Sequence, residues 1–531
     1  MPPVFGLEAR TRLLNGVRKL TRLVAATYGP CGGTVMIQRF GGLLSTKDGY
    51  TVAHEADFED PLESMGAKIL REACKEVNDA VGDGTTTTAI LACVLAKEGH
   101  KQVVAGTSLN EFIRGVREAT SVAIQEIQKY SFEASPSELQ SVSHISSNYD
   151  MEVSGILLKA CLDVGKYGTV VIEDGQGVDV TYDLKEGMEL DAGYTSQYYI
   201  TNPEHMSCEF DGPLVALLSR GVEASKDMIS LLEEASTFGG RPILVIAPYV
   251  EGEAQATMAL NASPRMKGHM QGCVVRVPGV GMARKREVLE DLAAMSGATV
   301  VDPDLGMDIC NFNREWFGGF RKSQIFEKKS NLTAYEDHEE ATHKRILHLS
   351  RQLEDTQDQF DADLIRKRIA KLSEGYAVIS IGGHTEAARK ERRARIEDSL
   401  GSLRSAMEHG VCLGGGSTYF QVAQTLDKMP VDSDMPCYNM GVRAVSMALK
   451  TPIFHLMDKS NSKWKTMFLQ QVQKDESIFW GYDAHLEVIR DFREDTSVVD
   501  PSQLLVTVLQ SAVSVAIMLL TVEVAVTLRV S

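Results

Sequence analysis

Gly82-Asp83-Gly84-Thr85-Thr86-Thr87-Thr88 brackets one acid between two glycines and follows it with four hydroxyl side chains. Upstream, Leu62 to Val81 has helical texture, with Met65, Ile69, Ala73 and Val77 on one face. Downstream, Ala89 to Lys97 lacks Gly and Pro and reads as a second helix. The glycines therefore sit between two helices. At the start of the second helix, unpaired backbone N–H groups and threonine hydroxyls converge where the helix dipole favours anions, and glycine lets backbone approach a phosphate closely. Asp83 is suited to hold Mg²⁺ through one carboxylate, with phosphate oxygens and waters completing an oxygen shell. A threonine-rich N-cap without a ligand accounts for the same letters.

Working outward, Leu7 to Tyr28 places Leu13, Leu14, Val17, Leu20, Leu23 and Val24 at helical spacing and ends in the rigid turn Thr27-Tyr28-Gly29-Pro30. Val35 to Gln38 reads as a short strand, and Lys47-Asp48-Gly49 as a turn before Thr51-Val52-Ala53. From Gly168 to Ile200 the texture is strand-rich, through Thr169 to Ile172 and Val178 to Tyr182. The middle third alternates strands (Leu214 to Leu218, Ile243 to Ile246, Cys273 to Val277) with helices (Lys226 to Ser236, Gly252 to Ala262, Arg286 to Met295). That alternation predicts an α/β domain with a parallel component. Ala341 to Glu374 predicts a charged helical hairpin. Helical texture returns over Thr385 to His409, over Gly416 to Leu426 and beyond Pro452. No Pro/Ser/Gly-rich linker separates these blocks, which is compatible with the first and last thirds forming one domain around the middle.

A chain of 531 residues predicts about three domains. Its apolar fraction of 44% and charged fraction of 24% are those of a globular protein. A formal charge of −17 and a pI near 5.3 oppose binding to nucleic acid or to an anionic membrane surface. The basic runs Arg284-Lys285-Arg286 and Lys390-Glu391-Arg392-Arg393 are short, lie near acids, and read as solvated helix faces. Nine scattered cysteines without a Cys-x-x-Cys pair suggest neither a disulfide framework nor a zinc site. Met1 to Gly6 lacks the pattern of a secretion signal, so a cytoplasmic location is expected. The apolar stretch Leu504 to Val530 is interrupted by Gln510, Ser511, Ser514 and Glu523 and turns β-branched at Val522, Val524 and Val526. A buried helix followed by a terminal strand is expected rather than a membrane span.

Two further glycine sites sharpen the first. Thr27 to Pro30 closes one helix and Gly414-Gly415-Gly416 precedes another, each exposing backbone that could meet a nucleotide. Alone, the triple glycine serves equally as a hinge, and Lys47-Asp48-Gly49 as a plain surface turn. Taken in order, the four motifs resemble the pattern of the group I chaperonins, the GroEL family, and the resemblance runs from about Leu7 to Thr527. Gly66-Ala67, Asn78-Asp79-Ala80, Ile145-Ser146-Ser147-Asn148, Val250 to Ala254, Arg395-Ile396-Glu397-Asp398, Gly481-Tyr482-Asp483-Ala484 and Asp500-Pro501 belong to it.

The resemblance implies an ATPase that folds non-native client proteins in a homo-oligomeric, seven-membered ring, with Mg²⁺ and K⁺ as cofactors and a co-chaperonin lid as a further partner. By position, Thr27, Tyr28, Gly29, Pro30, Lys47, Gly84, Thr85, Thr86, Thr87 and Gly415 surround the phosphates, and Asp83 binds Mg²⁺. Asp398 orients the attacking water and Asp48 assists it. Asp483, Ala484 and His485 flank the adenine, and Asp500 accepts from the ribose. The implied fold class is α/β in an α+β multi-domain chain. A largely helical equatorial domain comprises 1–129 and 409–531, an intermediate hinge domain 130–185 and 377–408, and an α/β apical domain 186–376. The apical groove for clients corresponds to Tyr194, Tyr198, Tyr199, Ile229, Leu232 and Leu260. Gln255 and Ala259 stand there where larger aliphatics are usual.

Other departures are Phe454 and Lys463 at the usual inter-ring contact, Cys31 in place of a lysine, and a tail, Arg529-Val530-Ser531, without Gly-Gly-Met repeats. A divergent, phage-encoded member is one reading of them. Two other functions share the phosphate loop. A small-molecule kinase would need a substrate pocket with its own base, and a non-folding ring or scaffold would not need the retained Asp48, Asp83 and Asp398.

Overall fold

The computed structural model describes residues 3–526 apart from 40–41, 166–167, 176, 186, 204, 263–269, 280, 357, 374–375, 384, 431–433, 462, 476–478 and 495. The chain is of mixed α/β class, with seventeen α-helices among the described residues. It divides into two compact units. The first comprises Met1–Lys159, Asp174–Val180 and Ile381–Ser531, and the second Ala160–Glu173 and Thr181–Ser380.

The first unit is a helical body. Helix Gly6–Val24 buries Leu13, Val17, Leu20 and Val24, a stripe at the 3.6-residue period. The stripe packs on helices Pro61–Val81 and Thr85–Val104. Pro61–Val81 starts where the Asp60 carboxylate accepts from the N–H groups of Leu62 and Glu63 with a proline in the first turn, and it stops at left-handed Gly82. Helix Ser502–Thr521 is long and apolar enough to cross a membrane by length and composition. It instead buries Leu505, Val508, Leu509, Ala512, Val515 and Leu519 within the unit, packed against Thr85–Val104. Each aliphatic side chain so buried contributes about 1.5–3 kcal/mol. Strand Val524–Ala525 then pairs antiparallel with Val4–Phe5. The expected buried helix and terminal strand are both present; residues 529–531 of the tail lie outside the described residues.

The second unit contains a five-stranded sheet. Gly272–Arg276, Ile243–Ala247, Leu214–Leu218 and Val300–Val301 lie side by side in parallel, and Gly318–Gly319 joins Leu214–Leu218 antiparallel. Leu214–Leu218 and Ile243–Ala247 are buried at every position, as strands of a parallel sheet require. Helices Ser225–Ser236, Gly252–Ala262 and Met282–Ser296 follow successive strands. A four-stranded antiparallel sheet runs in the order Met188–Leu190, Ser330–Thr333, Lys322–Ile325, Cys208–Asp211. The charged hairpin is formed by Glu339–Asp355 and Gln359–Ser373, which pack on each other.

Three local expectations are corrected. Thr51-Val52-Ala53 lies in helix Gly49–Glu55, because the Asp48 carboxylate accepts from Tyr50 and Thr51 N–H and so caps a helix instead of closing a turn. The strand expected from Val178 begins at Thr181, whose partner across the sheet is Ser380. Helix Pro436–Ser460 runs through Pro452, since Leu449, Ile453, Leu456 and Met457 on both sides of it are buried and tertiary packing outweighs the lost backbone hydrogen bond.

Candidate functional site

A cavity of about 1180 Å³ opens in the first unit, and its walls come from segments scattered between Thr27 and Val508. Among its lining residues are Asp83, Gly84, Thr86 and Thr87, from the junction between helices Pro61–Val81 and Thr85–Val104. Gly82 and Gly84 both adopt left-handed backbone, with φ of 82° and 93°, which ends one helix and starts the next within three residues. A side chain at Gly84 would strike Leu504 and Val508 within 2.7 Å. The loop is thus pressed onto the apolar helix Ser502–Thr521. Thr88 N–H is the first to close a helical bond, to the Gly84 carbonyl. The preceding N–H groups of the first turn have no partner within the helix and face the cavity with the positive end of its dipole.

Of the residues expected around the phosphates, Thr27, Tyr28, Gly29, Pro30, Lys47, Gly84, Thr86, Thr87 and Gly415 line the cavity. Thr85 does not; it is buried and its carbonyl accepts from the Cys74 thiol. The loop at 26–28 is held by Lys459, whose Nζ donates to the carbonyls of Ala26 and Tyr28 at 2.6 and 3.2 Å.

Four carboxylates meet here: Asp48, Asp83, Asp398 and Asp500 all line the cavity. Asp48 has already spent its oxygens on capping, accepting from Thr51 N–H at 2.7 Å and Tyr50 N–H at 3.0 Å. Asp83 accepts from Gly84 N–H at 2.5 Å. Crowding by protein and the neighbouring Asp48 raise its pKa. Asp398 is pushed up to about 8, first by burial and then by repulsion from Asp48, Asp83 and Glu397. Asp500, on the strand paired with Val411–Leu413, is pushed up to about 7 by burial and by Asp83, while a hydrogen bond from Gly415 N–H acts the other way. Each shift has the sign of carboxylates crowded by protein and by one another, although Asp83 is itself exposed and Asp398 and Asp500 are half-buried at the cavity.

Asp398 reaches this group through a close backbone crossing. A side chain at Gly401 would lie 2.8 Å from Gly82 Cα, and one at Gly82 would lie 2.9 Å from the Asp398 carbonyl oxygen. Two glycines let helix Glu386–His409 rest directly on the Asp83 loop. Nothing local in the sequence marks Gly401 for this role.

At the other end, Asp483 and Ala484 line the cavity but His485 does not. The Asp483 carboxylate is committed: it accepts from His485 and Leu486 N–H and pairs with Arg490 at 2.6 Å. His485 stacks on Tyr149, a cavity residue that sequence reasoning missed, together with Asn148, Lys390 and Arg395.

Among the described residues, no three His, Cys, Asp or Glu side chains are close enough to hold a metal ion by themselves. The donor set does fit Mg²⁺, which keeps few protein ligands and completes its octahedron with water and phosphate oxygens.

The six residues expected to bind clients lie in the second unit and divide. Tyr198, Ile229 and Leu260 are exposed, whereas Tyr194, Tyr199 and Leu232 are buried in that unit's core and offer little surface. The exposed ones sit on neighbouring elements, with helices Ser225–Ser236 and Gly252–Ala262 joined by a 2.9 Å hydrogen bond between Ser225 and Thr257. Gln255 and Ala259 are half-buried beside them. In the first unit, Phe454 packs edge-on to Phe420 and carries the Lys465 ammonium 4.4 Å over its ring; the Lys463 ammonium lies over Trp464.

Residues 20–238 and 242–529 match the model of the TCP-1/cpn60 chaperonin family. Among solved structures, the chain resembles two crystal forms of the chaperonin gp146 from the bacteriophage EL 2 (Pseudomonas aeruginosa). Crystal form II gives a TM-score of 0.77 at 20% identity over 99% of this chain and 98% of that one. Crystal form I gives 0.76 at 20% identity over 99% of both chains. The likeness is one of fold.

Proposed function

Because the chain belongs to the TCP-1/cpn60 chaperonin family, we propose that it hydrolyses ATP in this cavity and uses the cycle to assist the folding of non-native proteins inside a homo-oligomeric ring. The observation that carries the reading is the meeting of Asp48, Asp83, Asp398 and Asp500 at the free end of helix Thr85–Val104. One end of the cavity attracts phosphate, and the other groups need a cation. The phage chaperonin gp146 was crystallised in the presence of ATP-BeFx, and ATP with Mg²⁺ suits both demands here.

The N–H groups of the first turn, with Thr86, Thr87 and Lys47, receive the phosphates, and the loop Thr27 to Pro30 bounds them. Asp83 holds Mg²⁺, which when bound neutralises phosphate oxygens and the carboxylates around it. Asp398 accepts a hydrogen bond from the attacking water and fixes its direction, a role that requires the ionised form. Burial and repulsion from Asp48, Asp83 and Glu397 raise its pKa, and a cation held by Asp83 would favour the ionised form. Asp48 holds the helix Gly49–Glu55 against the phosphate end, its carboxylate engaged in the cap. Asp500 is placed for ribose hydroxyls.

In the same reading the equatorial domain comprises 1–129 and 409–531, the intermediate 130–185 and 377–408, and the apical 186–376. Clients are captured on Tyr198, Ile229 and Leu260. Seven-membered rings, K⁺, a co-chaperonin lid and a cytoplasmic setting complete the proposal. ATP turnover by the purified protein with Mg²⁺, beside Asp398→Ala and electron microscopy of the particles, tests it. Absence of turnover or of rings would sink the function, and unchanged turnover in the variant would sink the role of Asp398.

A further inference from the structure

Four non-glycine residues among those described have left-handed backbone: Asn148 (φ 55°), Tyr149 (φ 63°), Met206 (φ 49°) and Glu487 (φ 54°). Such conformations persist only where the surroundings hold them, and they collect at functional sites. Three of the four flank a single contact. The Tyr149 ring lies flat on the His485 imidazole, with centroids 4.3 Å and planes 12° apart.

The two rings come from distant parts of the chain. Tyr149 sits between helices Pro136–Ser146 and Met151–Val164, in a segment tied by Tyr149 N–H to the His144 carbonyl at 2.8 Å. His485 sits in the turn between strands Trp480–Asp483 and Val488–Asp491, which Asp483 and Arg490 hold from below. Asn148 and Tyr149 line one wall of the nucleotide cavity, and Asp483 and Ala484 line another. The stack therefore joins two walls that share no strand pairing. Burial, with Asp483 and Asp500 nearby, pushes the Tyr149 hydroxyl up to about 12, so it stays neutral and its ring remains an uncharged stacking surface.

We propose that Tyr149 and His485 form an aromatic clasp across the rim of the cavity, and that Tyr149 is a positioning residue that sets how long nucleotide stays bound. The proposal rests on the nucleotide reading given above. Parting the two walls to release a nucleotide breaks the stack, so the stack slows release without touching the hydrolytic carboxylates. An aromatic pair of this kind changes an equilibrium or an opening rate by about two- to tenfold.

Stopped-flow release of methylanthraniloyl-ATP from the full-length protein tests the clasp, using Tyr149→Ala, His485→Ala, the double variant and Tyr149→Phe. Each alanine variant is expected to release about two- to tenfold faster than wild type. The double variant should release no faster than the faster single one, because both remove the same contact. Tyr149→Phe should restore slow release. Unchanged release in both single variants, or effects that multiply in the double, would overturn the clasp and leave the nucleotide reading standing. A wild-type protein that binds no methylanthraniloyl-ATP would overturn both.

Discussion

Asp291 in the second unit is buried and Asp398 in the first is half-buried at the cavity wall, and their surroundings differ in kind. Asp291 is 1% exposed and receives Arg345 Nε at 2.8 Å and Arg368 Nε at 2.7 Å. Glu290 and Glu287 bind the outer sides of the same guanidinium groups. Asp398 has Asp48, Asp83 and Glu397 as its electrostatic neighbours, and no ion pair to it is found among the described residues. A buried charge that is fully partnered serves the fold, here by pinning helix Met282–Ser296 to the hairpin. A set of unpartnered ones marks a place where something else supplies the opposite charge. The lesson is that two aspartates are told apart by their partners and their access to a cavity: Asp291 is buried between two guanidinium groups, and Asp398 is half-buried among other carboxylates.

The largest effect that would sharpen the contrast is on turnover. Asp398→Ala is expected to lower ATP hydrolysis roughly 100- to 10,000-fold with the melting temperature intact; a steady-state phosphate assay reads the loss. A variant that unfolds instead would place Asp398 with Asp291. The mirror experiment is Asp291→Ala, which strands Arg345 and Arg368 and should cost about 3–5 kcal/mol of stability. Urea unfolding of that variant, with ATPase activity retained at low temperature, would confirm a purely structural carboxylate.

A subtler disturbance is Gly401→Ala, since its methyl would lie 2.8 Å from Gly82 Cα. Moving the Asp398 helix by a fraction of an ångström should lower kcat about tenfold or more, while nucleotide Kd changes little. A fall in affinity with kcat preserved would contradict the crossing as the device that aims Asp398.

The smallest effect concerns pH. In metal-free, nucleotide-free buffer, Asp398 near 8 and Asp500 near 7 lie above the ordinary value of 3.8, so the native state binds more protons than the unfolded one between those limits. The contribution of these two groups to stability is therefore fully present below about pH 4 and is lost as pH rises toward 8. Asp398→Asn should melt about 2–4 °C above wild type at pH 8.5, with the gap closing toward pH 5. Identical melting curves across that range would mean that Asp398 feels no repulsion.

Much of the fold was legible because its signals are local. The glycine junction between Val81 and Thr85, the apolar runs Leu214 to Leu218 and Ile243 to Ile246, and the amphipathic hairpin each declare themselves within a few residues. That Asp83, Gly84, Thr86 and Thr87 line one cavity was legible for the same reason. What escaped depends on partners far away in the chain. Gly401 matters only because Gly82 rests on it, and Tyr149 only because His485 does. The burial of Tyr194, Tyr199 and Leu232 follows from the core that closes over them, which no alternation of letters reports. Pro452 was misjudged because a local rule against proline yielded to packing on either side of it.

Gly84 and its support also impose an order in time. The loop at Gly84 is pressed onto Leu504 and Val508, and Asp398, Gly415, Asp483 and Asp500 arrive only in the last part of the chain. Synthesis proceeds from the N-terminus at about 5–20 residues per second. A nascent polypeptide thus carries Gly82 to Thr88 for many seconds as a loop without a floor. The cavity can therefore be complete only after nearly the whole chain has left the ribosome, and a product truncated before Asp500 would lack part of its wall.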